Sequence, residues 1–395
     1  MTIKFTRIWY KRTSTNCSKF LFALTFFLHS IANATPTETA FDSIPGMIIE
    51  LQNKYPYKVT AISEESGDLV LLQKYNDTQD IITYFDSDGV EEWQKIVKYV
   101  KEPRIDIAKD GSYFMLKSPG KYIVFDSTGT EIHTFNKYWA GYQLSPTGDF
   151  VIEHVTEKMD QLQYYTREGV LIVPDVPTSI KDRRSVYTFT ATGNIVGFIP
   201  PGRKTLGGIY LYNPHRNNFL WYLETLIPDG LYHGFPNQNV SVGSHNIAML
   251  IQNRKSSQVS ILDINTKEIK IIQLSALKKN AGIREQPTFS KIMYDEWSEL
   301  LTLAYRQSLV IYNIRSEEMV VNIEGHGYMT WRKQHYLNEN LVLFSSPLPR
   351  DNHRIELINI DKKTFSIFQG NHLSSAGQFS AMYLKNKNQI KVYSR

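Results

Sequence analysis

Cysteine is almost missing from this chain. Its 395 residues include one, Cys17. No intramolecular disulfide can form, and past that position there is no thiolate nucleophile and no cysteine metal site. Cys17 also lacks the place, just after an apolar run, that a bacterial lipid-anchored cysteine takes. The catalytic signatures are missing too: no HExxH, no GxSxG, no phosphate loop and no GxGxxG. No apolar run reaches the ~20 residues a spanning helix needs. The ten histidines stand singly, with no i, i+2 or i+4 pair to suggest a metal site.

What is present begins with a leader. Lys4, Arg7, Lys11, Arg12 and Lys19 form a basic start with no acid, FLFALTFFLHSIANA follows, and Ala32-Asn33-Ala34 is a small-x-small cleavage pattern. Residues 1–34 are therefore expected to be a secretion signal and 35–45 a short leader. Removing residues 1–34 takes five cations and no acid from the 44 basic and 39 acidic residues, which leaves 39 of each. The net charge of +5 is thus the signal's, and a neutral mature chain gives no reason to expect nucleic acid or an anionic membrane as partner. The expected location is the periplasm or the medium, with no membrane span after cleavage.

The mature chain repeats one unit. Its clearest copy runs from Ile105 to Phe135: IDIA, a turn at Asp110-Gly111, SYFMLK, a turn at Pro119-Gly120, KYIVFD, a turn at Ser127-Thr128-Gly129, then EIHTF. Runs rich in β-branched and aromatic residues, broken by Gly, Pro, Asp and Ser, predict a four-stranded antiparallel meander. The turn before the second strand recurs at Gly67, Gly111, Gly148, Gly193, His245, Ser298, Asn338 and Gly377. That is a period of ~45 residues, as a propeller blade requires. Eight second strands and eight third strands can be read, but only seven fourth strands. GMIIELQ, ahead of the first unit, resembles the fourth strands, especially EMVVNIE. The expectation is an all-β propeller over 46–395 as one domain, with eight blades, or seven if a weak unit is an insertion. The N-terminal strand would complete the last blade and remove an open edge. Pro177 to Glu224 is the least regular stretch.

FDSDGVEEW, Phe85 to Trp93, is similar to the hairpin of quinoprotein-type blades, and LSPTGDFVI, Leu144 to Ile152, resembles the hairpin of Tol-associated propeller repeats. The chain thus resembles the WD-repeat and quinoprotein-like propellers of secreted bacterial proteins. Most units lack the Gly-His and Trp-Asp signatures of true WD repeats. The vicinal cysteine pair of the quinone enzymes is missing, so the resemblance implies no such cofactor.

Asp86-Ser87-Asp88-Gly89 has oxygens at alternate positions, as a calcium loop does, but lacks the closing Glu and falls where each unit has a hairpin; it is read as a turn. No cofactor, metal or catalytic residue is assigned. The loops from fourth to first strand are more informative. They carry about 14 Lys and Arg against about 5 Asp and Glu, with Tyr138, Tyr232, Phe235 and Tyr328, whereas the third-to-fourth hairpins are mainly acidic. One end of the propeller should be basic and aromatic, the other acidic. Basic loop residues can simply solvate a rim, but Arg clamps carboxylates and Trp and Tyr supply rigid contact area. The candidate binding residues are Arg104, Trp139, Arg183, Arg184, His233, Arg284, His326, Trp331 and Arg332. The expected function is a protein-binding or scaffold module, monomeric, whose basic face grips a protein partner or an anionic small ligand. The alternative is a propeller enzyme of lyase, lactonase or glycoside hydrolase type, marked by two carboxylates and a His converging at the channel mouth.

Overall fold

Glu91–Lys98 alternates exposed and half-buried residues, whereas Leu69–Lys74 is buried at every position but the last. A strand that is apolar on both faces must be covered on both faces. Such a strand therefore lies mid-sheet between two other sheets, while the alternating strand sits at a sheet's outer edge.

The computed structural model describes residues 46–394 except 53, 137–139, 156–161, 178–184, 200–206, 228–238, 253–256, 275–288, 297, 306–307, 325–330, 338–339, 346–353, 361–363, 370–371, 377–378 and 386; between 321 and 378 the side chains described are those of 358–360. The expected signal and leader lie outside these residues. The described residues form eight four-stranded antiparallel sheets. Seven are meanders of consecutive strands; the first comprises Tyr57–Ile62, Leu69–Lys74, Gln79–Phe85 and Glu91–Lys98. The eighth joins His372–Ala376, Phe379–Leu384 and Gln389–Ser394 to Met47–Glu50, with Met47 opposite Val392 and Glu50 opposite Gln389. The strands coincide with the runs read from the sequence. The third sheet is the one marked difference. Its outer strand is only Leu171–Ile172, because Pro174 and Pro177 cannot donate to a ladder. The segment leaves the edge and is held by the fourth sheet instead, through Asp175 N–H to the Tyr212 hydroxyl (3.2 Å) and Asn217 Nδ2 to Val173 C=O (3.3 Å).

First strands lie against first strands: those of the second and eighth sheets against the first, the third against the second, the fifth against the sixth and the seventh against the eighth. They form the inner edge, and the fourth strands form the rim. Apolar layers fill the spaces between sheets. Val70, Leu72 and Ile82 of the first sheet meet Phe114, Leu116 and Phe125 of the second. Leu69, Leu71 and Phe85 on its other side meet Ala381, Ile390 and Val392 of the eighth. Meander sheets packed face to face around a common inner edge define a β-propeller.

Polar ties register neighbouring sheets at the hairpin end. The first-to-second-strand turns are linked by Glu65 N–H to Lys109 C=O (2.6 Å) and Lys109 N–H to Pro146 C=O (2.7 Å). Between the fifth and sixth sheets a side chain takes over: the Glu296 carboxylate accepts N–H bonds from Ser244 (2.8 Å), His245 (2.9 Å) and Asn246 (2.6 Å). A Cβ at Gly243 would lie 2.2 Å from that carboxylate, which is why glycine stands there. At the rim, Trp93 Nε1–H donates to Ser127 C=O (2.6 Å), with its ring lying on Gly129 at φ 83°.

Replacing Glu296 with Ala removes the acceptor of three amides and should cost about 2 kcal/mol. The check is the chemical-denaturation midpoint against Glu296→Gln, which keeps two of the bonds in reach; equal stability of Ala, Gln and wild type would remove this tie from the account.

Candidate binding face

The propeller has two ends. One carries the fourth-to-first loops and the second-to-third turns, the other the two kinds of hairpin. The loop end of the first sheet interleaves lysine and tyrosine from three separate connections. Ahead of the first strand, Lys54 Nζ lies 5.2 Å from the centroid of the Tyr55 ring, and Tyr55 lies 5.4 Å from Tyr75, which comes from the second-to-third turn. After the fourth strand, Tyr99 covers Lys58 Nζ at 4.0 Å. Tyr75 and Tyr99 are exposed, at 36% and 48%. The N–H···O=C bonds from Tyr99 to Thr78 (2.8 Å) and Lys74 to Pro56 (2.8 Å), with Gln73 Nε2 to Tyr55 C=O (2.6 Å), hold the three connections together.

Beneath this surface Lys58 pairs with the fully buried Asp80 at 2.6 Å. Asp80 also accepts the Val100 N–H (2.7 Å), and Lys58 donates to the Val100 carbonyl (2.7 Å). Both backbone groups of Val100 are thus taken by one ion pair, which pins the loop bearing Tyr99.

The second sheet repeats the device. Asp106 pairs with Lys117 and accepts the Leu144 N–H of the third sheet (3.2 Å). Arg104 opens the first strand here, exposed, and stands directly opposite Lys117 in register. Tyr122, opposite Lys117 on the other side, stacks edge-on against Tyr142 of the third sheet at 4.9 Å. Burial pushes the Tyr122 phenol up, while Arg104 pulls it the other way. Deeper in the same interface the buried Glu153 accepts from Tyr165 (2.5 Å) and Tyr142 (3.3 Å). Burial first, then the Glu153 charge for Tyr142 and the bond to Glu153 for Tyr165, raise both phenols far above their ordinary range. Asp106 and Glu153 are two carboxylates in one inter-sheet space, but each is bound by neighbours, as structural carboxylates are held. The side chain of His154, next in sequence, is outside the described residues.

At the hairpin end the carboxylates have a local cause. Asp86 Oδ1 accepts from Asp88 and Val90 N–H (3.0 and 2.8 Å), and Asp126 Oδ1 from Thr128 and Thr130 N–H (2.9 Å each). Asp263 does the same for Asn265 and Thr266 (2.8 and 2.9 Å). The Asp86 segment is therefore a side-chain-capped hairpin. Asp110 also accepts from Ser112 N–H (3.0 Å), and Glu65 pairs with Lys109 at 2.6 Å.

Of the residues singled out in the sequence, Arg104 is at the loop end with its side chain described. Trp331 and Arg332 open the first strand of the seventh sheet, also at the loop end, with only their backbone described. Trp139, Arg183, Arg184, His233, Arg284 and His326 lie outside the described residues, as do Tyr138, Tyr232, Phe235 and Tyr328. The lysine–tyrosine patch of the first sheet was not singled out. NKYPYK and KYVKEPR carry it in plain sight, but the stacking of Tyr55 on Tyr75 needs a turn that those loops do not include. Among the described residues no group of three His, Cys, Asp or Glu could hold a metal, and no helix is long and apolar enough to cross a membrane.

The sheets and their packing define a β-propeller. Solved structures agree on the fold. BamB from Moraxella catarrhalis is 13% identical with a TM-score of 0.51, over 89% of this chain and 100% of that one. A eukaryotic initiation factor is 13% identical with a TM-score of 0.51, over 88% and 87%. A prolyl endopeptidase structure is 11% identical with a TM-score of 0.51, over 94% of this chain and 60% of that one. At these identities the likeness is one of fold. No protein-family model matches the chain, and no curated protein matches it by sequence.

Removing the Asp80 carboxylate with Ala leaves Lys58 buried without its counter-charge and should cost about 3 kcal/mol. Hydrogen exchange should also accelerate at Val100 and Tyr99, while amides of the fifth sheet keep their protection. A uniform loss across all sheets would contradict a local clasp.

Proposed function

We propose that the chain is an exported, eight-bladed β-propeller that acts as a protein-binding scaffold through its basic, tyrosine-rich loop end. The observation that carries this reading is the contrast between the two ends. The hairpin carboxylates Asp86, Asp126 and Asp263 cap their own turns, whereas Lys54, Lys101 and Arg104 at the loop end have no carboxylate partner among the described residues, and Tyr75 and Tyr99 are exposed at the same end. Exposed tyrosine, lysine and arginine on a rigid frame are the residues of a contact surface. The remaining candidates, Trp139, Arg183, Arg184, His233, Arg284, His326, Trp331 and Arg332, belong to the same loops or their margins in the sequence.

Eight blades closed by the N-terminal strand fit the pairing of Met47–Glu50 with Gln389–Ser394. Asn388 fastens the join: its C=O accepts the Leu51 N–H (3.1 Å), and its side chain donates to Leu51 C=O (3.0 Å) and accepts from the Tyr383 hydroxyl (3.2 Å). Tyr57 of the first sheet stacks on Tyr383 of the eighth at 3.9 Å. Met47 and Ser394 both come to the hairpin end, so a tether at either terminus leaves the loop end clear. Export to the periplasm or medium rests on the leader at residues 1–34, and the domain reading remains 1–34, 35–45 and 46–395.

Two measurements test this. Crosslinking and affinity capture with residues 35–395 from cell-envelope extract should yield a stoichiometric protein partner. Reversing Arg183, Arg184 and Arg332 to Glu should abolish capture, and reversing Arg216 at the hairpin end should not. Equal capture by both variants would refute the loop-end assignment. For the closure, Ile49→Asp puts a charge at a position 5% exposed in the layer between the eighth and first sheets. It should cost at least about 3 kcal/mol; unchanged stability would mean that this strand does not seal the ring.

A further inference from the structure

Resting on the loop-end reading, we infer that the row formed by Arg104, Lys117 and Tyr122 at the mouth between the second and third sheets is a carboxylate-binding site, which receives an acidic side chain of the bound protein segment. The three residues come from the first, second and third strands of one sheet, paired Arg104 to Lys117 and Lys117 to Tyr122. Directly paired residues on antiparallel strands point to the same face, with their Cβ atoms ~5 Å apart. Two cations in that relation repel each other and weaken the sheet. Lys117 is relieved by Asp106, its side chain 15% exposed. Asp106 is occupied by that pair and by the Leu144 amide, so it has no charge to spare for Arg104. Arg104 is exposed, and among the described residues no carboxylate pairs with it.

The approach to this row is built as well. Glu102, two residues before Arg104, holds a positive φ of 47°, and Pro103 follows it. That backbone conformation costs a non-glycine residue energy and persists where the surroundings demand it. Tyr122, the third member of the row, and Tyr142 close the inter-sheet space with their rings 4.9 Å apart, so an arriving group meets two aromatic rings and a planar guanidinium. One uncompensated guanidinium beside a second cation calls for one planar monoanion, which a carboxylate satisfies through paired N–H donors.

The test uses residues 35–395 and a fluorescein-labelled hexaglutamate peptide, read by anisotropy at low salt, with hexalysine as the control. Arg104→Gln should weaken peptide binding at least about tenfold, the loss of one charge-assisted contact. The same substitution removes the like-charge pair and should leave the melting temperature unchanged or raise it by about 1–2 °C. Weaker binding with an unchanged or higher melting temperature supports the site. A lower melting temperature would make Arg104 a structural residue and overturn the inference. Peptide binding unaffected by Arg104→Gln, or absent in the wild type, overturns it too. Inorganic phosphate that binds at Arg104 where hexaglutamate does not replaces the carboxylate assignment with a phosphate one. Each of these results is separate from the Arg183, Arg184 and Arg332 capture experiment. If that partner is captured normally by Arg104→Gln, only the Arg104 site falls.

Discussion

Strands that are apolar on both faces cannot end in a single sheet, and everything else in this molecule depends on that constraint. Leu69, Val70, Leu71 and Leu72 are consecutive and all buried. Their alternation sends Val70 and Leu72 towards the second sheet and Leu69 and Leu71 towards the eighth. Removing such surface from water is worth about 25 cal/mol per Å², but only if a sheet stands on each side. A row of such sheets therefore gains from every neighbour added and keeps an uncovered face at each end until its ends meet. The packing of the eighth sheet against the first covers one face of each.

Face-to-face apolar packing is nearly blind to sliding, so register has to come from polar groups at the sheet ends. Here it comes largely from carboxylates that reach backbone amides of the next segment: Glu296 to residues 244–246, Asp106 to Leu144 and Asp80 to Val100. Each is directional, and each uses a charged acceptor, which makes the bond stronger than a neutral one. The same economy explains the acid at the hairpin end. Tight hairpins are capped by Asp at the end of the third strand, as at Asp86, Asp126 and Asp263, so the hairpin end accumulates acid for conformational reasons. At the loop end of the first two sheets, Lys54, Lys101 and Arg104 take no part in such caps. Acid at the hairpin end therefore needs no selection for a dipole to explain it.

This difference also marks how far the sequence could be read. Strand and turn positions were legible because each is a local event: alternation, β-branching, and Gly or Asp at a turn whose geometry requires it. GMIIELQ was legible as a misplaced fourth strand for the same reason. The shortening of the third sheet's outer strand was written in Pro174 and Pro177, yet VLIVPDV reads as a full strand on composition alone. What the sequence concealed are relations between units. Glu153 gives no sign that it receives Tyr142 and Tyr165, and Lys58 gives no sign that it lies between Asp80 and Tyr99. Those contacts are decided by which faces turn towards each other, and a repeat pattern places blades without stating which side chains meet between them.

The like-charge pair of Arg104 and Lys117 is where the two kinds of information join. Read along the chain, Arg104 is one cation in a basic loop and Lys117 the last residue of the run SYFMLK. Only the register brings them opposite each other, and only the commitment of Asp106 to Lys117 and Leu144 leaves Arg104 alone. Elsewhere Lys58 and Lys109 are tied to Asp80 and Glu65, and a small neutral residue at 104 would have avoided the repulsion. An uncompensated guanidinium there, directly opposite a second cation and two residues after Glu102 at φ 47°, is a local departure from what the sheet's own stability favours. Departures of that kind concentrate where a surface is organised for something other than its own stability.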